Sequence, residues 1–282
     1  MNNLVIAVIA PGSMGSAVGK RLSDNGARVI TSLEGRSDAS RQRAKQAGMA
    51  PAADEQMAGA DLILSIVPPA EALPLAQRLA PALKRTDRKP IYVDCNAVNP
   101  KTVAGIESVI ADTGCSFVDA GIIGGPPKPE SPGPAFYASG AEASRFAVLK
   151  QHGLDVRLLD GPVGAASALK MSYAGITKGF TALGAVMMLA ASRAGAADAL
   201  RHEFAESQPT LFAWLTRQVP AMYPKAYRWI AEMEEIAGFV GDDAAAHEIF
   251  EGAAAFYERI AADVATSRKE TATLTAFLGR NI

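Results

Sequence analysis

Through the first 160 residues, short runs of apolar residues alternate with segments whose apolar residues recur at the spacing of a helix. Leu4–Ile9 and Asp61–Val67 are apolar enough to be strands that are buried on both faces of a sheet, and Ser13–Asp24 has helical spacing. Further strands are predicted at Arg28–Ser32, Ile91–Asp94, Ser116–Ile122, Ala135–Ser139 and Val156–Leu159, and further helices at Ala39–Gly48, Glu71–Leu83, Thr102–Thr113 and Ala143–Gln151. This alternation predicts an α/β fold with a doubly wound parallel sheet and right-handed crossovers.

The pattern changes at Val163, after which the chain shows Ala-rich helical spacing and no strand pattern. The first helix of this part is predicted over Ala165–Arg193. It is apolar nearly all round, so it must be buried against something. We therefore expect an α/β domain at 1–162, an all-α domain at 163–282, and a homodimer in which a second subunit covers the long helix.

Composition and charge narrow the class of protein. The 282 residues are 49% hydrophobic and 20% charged, which is the balance of a folded globular chain. Lys and Arg number 28 against 29 Asp and Glu, so no basic excess exists to bind nucleic acid or an anionic membrane. The N-terminus lacks a basic leader, and the uncharged stretch Gly179–Ser192 is shorter than a membrane span. Two cysteines and three scattered histidines predict neither a disulfide framework nor a metal site, so we expect a cytoplasmic protein without a metal.

A glycine-rich turn follows the first predicted strand and opens the first predicted helix. It reads Ala10-Pro11-Gly12-Ser13-Met14-Gly15. In this context Gly12 lets the backbone approach a pyrophosphate, Gly15 lets the helix pack closely on the strand, and the helix N-terminus offers N–H groups to the anion. Ala10 takes the tight-turn position where glycine is usual. We predict a dinucleotide-binding Rossmann domain in which Ala10, Gly12, Ser13, Met14 and Gly15 hold the cofactor.

The end of the second predicted strand carries two opposing signals for the choice of dinucleotide. Glu34 lies 22 residues after Gly12, near the position where an acid binds the ribose 2′-hydroxyl of NAD. Arg36 and Ser37 supply a cation and a hydroxyl that can bind the 2′-phosphate of NADP. We prefer NADP, held by Arg36 and Ser37, and keep NAD as the alternative.

Four segments resemble, in the same order, signatures of the 6-phosphogluconate dehydrogenase and β-hydroxyacid dehydrogenase superfamily. The first is the glycine turn with its Met14, and the second is Ile66-Val67-Pro68-Pro69. The third, FVDAGIIGG over 117–125, is similar to the substrate-loop signature D-A-P-V-S-G-G. The fourth, GPVGAASALK over 161–170, matches G-x-x-G-x-x-x-x-x-K, in which the family's lysine is catalytic.

The resemblance implies an NAD(P)-dependent oxidoreductase that interconverts a hydroxyl and a carbonyl on a small carboxylate-bearing substrate. Lys170 would be the general acid/base. Val67 and Pro68 would line the nicotinamide side. Asn96, which stands at the family's Ser or Thr position, would contact both cofactor and substrate, and the substrate would also meet a glycine pair, Gly124 and Gly125.

Several positions depart from the family pattern. Ala174 stands where the family has Asn, and Ile123 stands where it has the Ser of the substrate loop. Lys178 shares a helical face with Lys170 and Ala174, so we predict it as a second cation for the substrate, with a plain surface lysine as the alternative. Arg228 is predicted as a further substrate contact, although its surroundings also fit an ordinary amphipathic helix.

Two other functions remain open. One is an imine reductase on the same scaffold, against which Lys170 argues because that class typically replaces the lysine. The other is a catalytically silent NADP-binding sensor, which the departures at Ala174 and Ile123 keep open.

Overall fold

The structure of the protein, a computed structural model, describes residues 4–128 and 130–279. These residues form two compact units, which divide between Met171 and Ser172. The predicted change from strand–helix alternation to helices alone falls slightly earlier, near residue 162.

The first unit contains an eight-stranded sheet. Its strands are β1 (Val5–Ile9), β2 (Arg28–Thr31), β3 (Ala50–Pro51), β4 (Leu62–Ser65), β5 (Ile91–Asp94), β6 (Ser116–Ile123), β7 (Ala135–Ser139) and β8 (Asp155–Leu158). In space they lie in the order β3-β2-β1-β4-β5-β6-β7-β8. The order reverses between β1 and β4, which makes the carboxyl ends of these two strands the expected ligand crevice. The predicted Rossmann-type fold is confirmed.

Helices cover both faces of this sheet. They are α1 (Ser13–Asp24), α2 (Asp38–Gln46), α3 (Asp54–Ala58), α4 (Pro69–Arg85), α5 (Pro100–Ala111) and α6 (Ala143–Phe146), the last continued by a 3₁₀ segment over Ala147–His152. Val8, Val93 and Val118 belong to the core on one face of the sheet. Ile9 and Tyr92 belong to the core on the other face. The two faces alternate along each strand, as the period of two requires.

The sheet departs from the all-parallel expectation at one strand pair. β7 runs antiparallel to β6, with Asp119 opposite Ser139 and Ile123 opposite Ala135. The connection between these strands, 124–134, is too short for the helical crossover that a parallel partner needs, so the chain reverses as a hairpin. β3 and α3 are also absent from the prediction, because two-residue and five-residue elements carry too few positions for a periodicity.

Within residues 172–279 every regular element is helical. The helix α7 (Ala165–Arg193) begins in the first unit and continues into the second, with the bounds that the sequence predicts. It is followed by α8 (Ala197–Ser207), α9 (Pro209–Met222), α10 (Ala226–Phe239), α11 (Ala244–Ala265) and α12 (Lys269–Phe277). Met222, Met233, Tyr257 and Leu274 are fully buried in this unit.

The composition of α7 bears on the expected absence of a membrane span. Among the described residues, α7 is the one helix that is long and apolar enough to cross a membrane. Its most apolar stretch of 18 residues has a mean hydropathy of 1.4, and 39% of that stretch is buried in the protein. A core helix of a soluble protein meets the same criterion, so this single helix is weak evidence for a membrane protein.

Candidate cofactor and active site

The glycine turn is shaped by close backbone packing at one glycine and open space at the other. A Cβ at Gly15 would lie 2.0 Å from the carbonyl oxygen of Ala10, whereas a Cβ at Gly12 would meet nothing within 4 Å. Gly12 is the N-cap of α1 and has no side-chain capping bond. The turn therefore leaves the start of α1 open to an anion, which fits the pyrophosphate of a dinucleotide.

The loop after β4 is tied to the segments that follow the two strands paired with β4, which are β1 and β5. The Ala10 backbone N–H donates to the Ile66 carbonyl at 3.2 Å. The Val67 backbone N–H donates to Oδ1 of Asn96 at 2.7 Å. Val67 and Pro68 are therefore held beside the glycine turn, at the predicted nicotinamide side of the crevice.

Asn96 has a different environment from the one that a substrate contact would suggest. Its side chain is 3% exposed. Its amide nitrogen donates to Ser65 Oγ at 2.8 Å and to the Asp94 carboxylate. With both amide hydrogens directed at protein groups, Asn96 supports the Val67 loop, and its predicted contact with substrate stays a prediction.

The segment after β2 places the two residues that are predicted to bind the 2′-phosphate at the start of α2. Ser37 caps α2 by accepting the Ser40 backbone N–H, and Arg36 lies immediately before it. Glu34 is exposed on the preceding turn. Within residues 4–128 and 130–279, no carboxylate or carbonyl binds the Arg36 guanidinium.

Arg43 was missed by the sequence analysis. Its Nε donates to the Pro11 carbonyl at 3.0 Å, and its Nη2 donates to Ser40 Oγ at 2.8 Å. This side chain joins the start of α2 to the glycine turn. No local motif marks it, because the contact spans 32 residues.

Lys170 lies on the second turn of α7, at the carboxyl end of β6. Its ammonium donates to the Ile122 carbonyl at 2.5 Å and is partly buried. Gly121 permits this approach, because a Cβ there would come within 2.8 Å of the Ala166 carbonyl oxygen and 3.1 Å of the Lys170 Cβ. The ammonium is therefore held at the strand ends and does not extend into bulk water.

The two glycines that follow β6 differ in what their backbones require. Gly124 has φ +128°, and a Cβ there would lie 3.0 Å from the Pro134 Cα. Gly125 is exposed and has open space around it. Gly124 is thus needed for the turn itself, whereas the space around Gly125 would also accommodate a side chain. Their contacts with substrate stay a prediction.

Lys178 and Arg228 lie in the second unit. The Lys178 ammonium is paired with the Glu232 carboxylate and lies 5.1 Å from the centre of the Trp229 ring. Burial lowers the pKa of Lys178, and Glu232 opposes that shift. Arg228 is exposed and stacks near the Tyr227 ring, 5.9 Å from its centre. Lys178 is therefore a buried, paired lysine and not a plain surface lysine.

Cys95 lies next to the buried carboxylates at the strand ends. Burial raises the pKa of the Cys95 thiol well above its usual value, and Asp94 and Asp119 raise it further. The thiol is therefore unreactive, and Cys95 is a small buried side chain of the core. In the part of the chain that the structure describes, no three His, Cys, Asp or Glu side chains are grouped as metal ligands.

A comparison with protein families decides the classification of the chain. Residues 5–152, more than half of it, match the NAD binding domain of 6-phosphogluconate dehydrogenase. The chain belongs to this family. Residues 191–260 match a second family, DUF1932, a domain of unknown function. The resemblance in the sequence is confirmed, and the first unit is an NAD(P)-binding domain.

Individual relatives of this 6-phosphogluconate dehydrogenase-type chain agree with the assignment. An uncharacterised 28.5 kDa protein from the 7S RNA 5′ region of Methanothermus fervidus is 28% identical and covers 83% of this chain and 90% of its own length. A conserved protein of unknown function, described as structurally similar to 3-hydroxyacid dehydrogenases, matches with a TM-score of 0.68 and 28% identity, over 91% of this chain and 99% of its own. The 3-hydroxyisobutyrate dehydrogenase of Mycobacterium tuberculosis matches with a TM-score of 0.70 and 18% identity, over 97% of this chain and 99% of its own. The scaffold is that of an NAD(P)-dependent oxidoreductase.

Proposed function

We propose that the protein is an NADP-dependent oxidoreductase that interconverts a hydroxyl and a carbonyl on a small carboxylate-bearing substrate. The observation that carries this proposal is the ammonium of Lys170, held on the Ile122 carbonyl at the carboxyl end of β6. A charged amine is costly in a partly buried position unless it has a partner or a function. Proton transfer to a carbonyl oxygen supplies such a function, and we place this reaction in the cytoplasm.

The roles of the chain's own residues follow from their positions. The nicotinamide cofactor, when bound, supplies or accepts the hydride. The pyrophosphate would be bound by Gly12, Ser13, Met14 and Gly15. Ala10 would form the tight turn that precedes them. Val67 and Pro68 would keep water from the reacting face.

Lys170 would donate a proton to the substrate oxygen during reduction and remove it during oxidation. Gly125, beyond the left-handed turn at Gly124, would leave room for the substrate. Lys178 and Arg228 are the proposed sites for the substrate's acidic group, although an anion at Lys178 would compete with Glu232.

Arg36 and Ser37 would favour NADP over NAD. Arg36 is partly buried and directly precedes Ser37, the N-cap of α2, so a 2′-phosphate bound there would also meet the positive end of the helix dipole. Glu34 is on the exposed side of the preceding turn, which weakens the case for NAD.

We expect the purified protein to oxidise NADPH faster than NADH when a panel of small carbonyl acids is offered. The Arg36→Ala variant should oxidise the two dinucleotides at similar rates. Loss of a charge-assisted guanidinium–phosphate contact should weaken NADPH binding about tenfold or more and leave NADH binding nearly unchanged. Nicotinamide absorbance and equilibrium titration measure the two effects, with Arg28→Ala, an exposed arginine at the opposite end of β2, as the control.

The outcomes separate the rival functions. Binding of NADPH without turnover on any carbonyl acid would indicate a sensor, and turnover on cyclic imines alone would indicate an imine reductase. Equal weakening of both dinucleotides by Arg36→Ala would reject Arg36 as the 2′-phosphate ligand.

We also propose that α7 pairs with a second copy of itself. Tyr173, Ile176, Phe180, Leu183 and Met187 form an α7 stripe in which every side chain is more than half exposed. Their alternating spacing of three and four is that of a helix–helix seam. With about 100 Å² exposed on each large side chain, the stripe offers about 500 Å² towards the roughly 800 Å² that one partner of a stable interface buries.

An adjoining groove extends this surface. It has a volume of about 530 Å³ and is lined by apolar residues of α7 and α11, including Gly175, Gly179 and Gly252. A Cβ at Gly252 would meet nothing within 4 Å, so another helix can approach closely at this position.

Phe180→Asp combined with Ile176→Asp should convert a dimer into a monomer, because two charges would be buried at the centre of the seam. Light scattering measures the mass, and Tyr227→Asp on α10 serves as an exposed aromatic control. A monomeric wild-type protein, or a double variant that keeps the wild-type mass, would contradict the proposed pairing.

A further inference from the structure

A row of buried polar side chains crosses the middle of the sheet. Ser65 on β4 lies opposite Asp94 on β5, and Asp94 lies opposite Asp119 on β6. Ser139 on β7 completes the row opposite Asp119. All four have 0% exposure. Buried polar groups, carboxylates above all, are unfavourable unless specific hydrogen bonds stabilise them.

The hydrogen bonds of Asp119 all reach outward to β7 and the start of α7. Its Oδ2 accepts the backbone N–H groups of Gly164 at 2.9 Å and Ser167 at 3.0 Å, together with the Ser139 hydroxyl at 3.1 Å. Its Oδ1 accepts the Ser167 hydroxyl at 2.6 Å. A helix N-terminus normally finds such acceptors in the residue at its own cap. Here the acceptor comes from a strand 45 residues earlier in the chain.

Ser139 completes this cap. Its hydroxyl accepts the backbone N–H of Ala166 at 3.0 Å while donating to Asp119. Three N–H groups at the start of α7 are therefore satisfied by side chains of β6 and β7, and the negative charge of Asp119 lies at the positive end of the helix dipole.

The same strand also holds the amine that lies one turn further along the helix. Ile122 is three residues after Asp119 on β6, and its carbonyl accepts the Lys170 ammonium. Gly121, between them, lets the helix backbone approach the strand. Strand β6 thus fixes the first turn of α7 through Asp119 and the ammonium through Ile122.

We propose that Asp119, with Ser139, is a positioning residue for Lys170: it locks the first turn of α7 against β6 so that the ammonium is held at the Ile122 carbonyl. The catalytic consequence rests on the proposed function of Lys170, whereas the placement of the ammonium does not. Without the cap, the first turn frays and the amine becomes free to move into solvent.

The test compares two buried carboxylates that have the same hydrogen-bonding pattern. Asp263, in the second unit, also accepts two backbone N–H groups and two hydroxyls, from Glu270, Thr271 and Ser267 at the start of α12. Asp119→Ala and Asp119→Asn are the test variants, and Asp263→Asn is the matched control for general loss of stability.

The first readout is the acylation rate of the Lys170 amine in the cofactor-free protein, measured by mass spectrometry with Lys150 as internal reference. We expect about a tenfold faster rate in Asp119→Ala, because a charge-assisted hydrogen bond no longer protects the amine. Asp119→Asn retains an acceptor for the backbone N–H groups and should lie between wild type and Asp119→Ala. Asp263→Asn should leave the rate unchanged.

The second readout is steady-state turnover. Asp119→Ala should lower kcat by about 10²-fold at an unchanged KM for NADPH, as expected when a reacting group is misplaced. If Lys170 proves dispensable for turnover, the proposed function fails, while the acylation rate still tests the placement.

A folded Asp119→Ala protein whose Lys170 is acylated at the wild-type rate would overturn the proposal. If that variant does not fold, Ser139→Ala removes only one hydroxyl of the cap, and it should raise the rate by a smaller factor. A wild-type rate in Ser139→Ala and in Asp119→Asn would overturn the proposal equally.

Discussion

Replacing Lys170 with alanine should lower kcat by about 10²-fold or more and leave cofactor affinity nearly unchanged. The amine is the one group at the carboxyl end of β6 that we assign to proton transfer, so no other group replaces it. Its removal also relieves the burial of a charge, so the variant should remain folded. Steady-state kinetics at saturating NADPH, with cofactor titration by fluorescence, measures both quantities.

Two further variants separate proton transfer from simple charge. Lys170→Arg keeps a cation but does not release a proton near neutral pH, so it should be as inactive as Lys170→Ala. Lys150→Ala, at an exposed position of the first unit, should have wild-type kinetics. Near-normal turnover in Lys170→Ala would reject the assigned role, and activity restored by arginine would indicate electrostatic stabilisation alone.

The two glycines of the dinucleotide turn should respond differently to the same substitution. Gly15→Ala should destabilise the protein by about 3 kcal/mol or more, because its Cβ would overlap the Ala10 carbonyl oxygen at 2.0 Å and the backbone must move. Gly12→Ala should leave stability almost unchanged, since Gly12 has φ −71° and open space around its Cα. It should nevertheless weaken NADPH binding about 10²-fold, because the added methyl group occupies the space that the pyrophosphate needs.

Denaturant unfolding and equilibrium titration with NADPH distinguish the two effects. Gly105→Ala is the matched control, because Gly105 lies within α5 and a Cβ there meets nothing within 4 Å. That variant should be slightly more stable than wild type and bind NADPH normally. A stable Gly15→Ala protein, or a Gly12→Ala protein with unchanged affinity, would show that this turn does not pack or bind as proposed.

Local patterns predicted most of the first unit, and their failures have physical causes. The bounds of α1 and α7 agree with the sequence because a glycine turn and a Gly-Pro segment mark their starts. The direction of β7 was wrong because an apolar strand has the same pattern in a parallel and an antiparallel pair. Only the short connection over 124–134 reveals the reversal.

The residues of the candidate site were predicted from local motifs, whereas most of their contacts were not. Lys170 was found because a motif of fixed spacing carries it, and the structure places its ammonium on β6. The environment of Asn96 was not predictable, since its partners Ser65 and Val67 lie on another strand and its loop. Arg43 carries no motif, and its role depends on the approach of α2 to the glycine turn.

By itself the sequence determined the family, the glycine-rich turn after the first strand and the long helix with Lys170 near its start, because each depends on residues that are close together along the chain. The tertiary structure alone decided which groups those residues meet. Asp119 caps a helix that begins more than 40 residues later, and Glu232 neutralises Lys178 from another helix. Such pairings arise from the packing of strands and helices that are distant in sequence, so no spacing or composition records them.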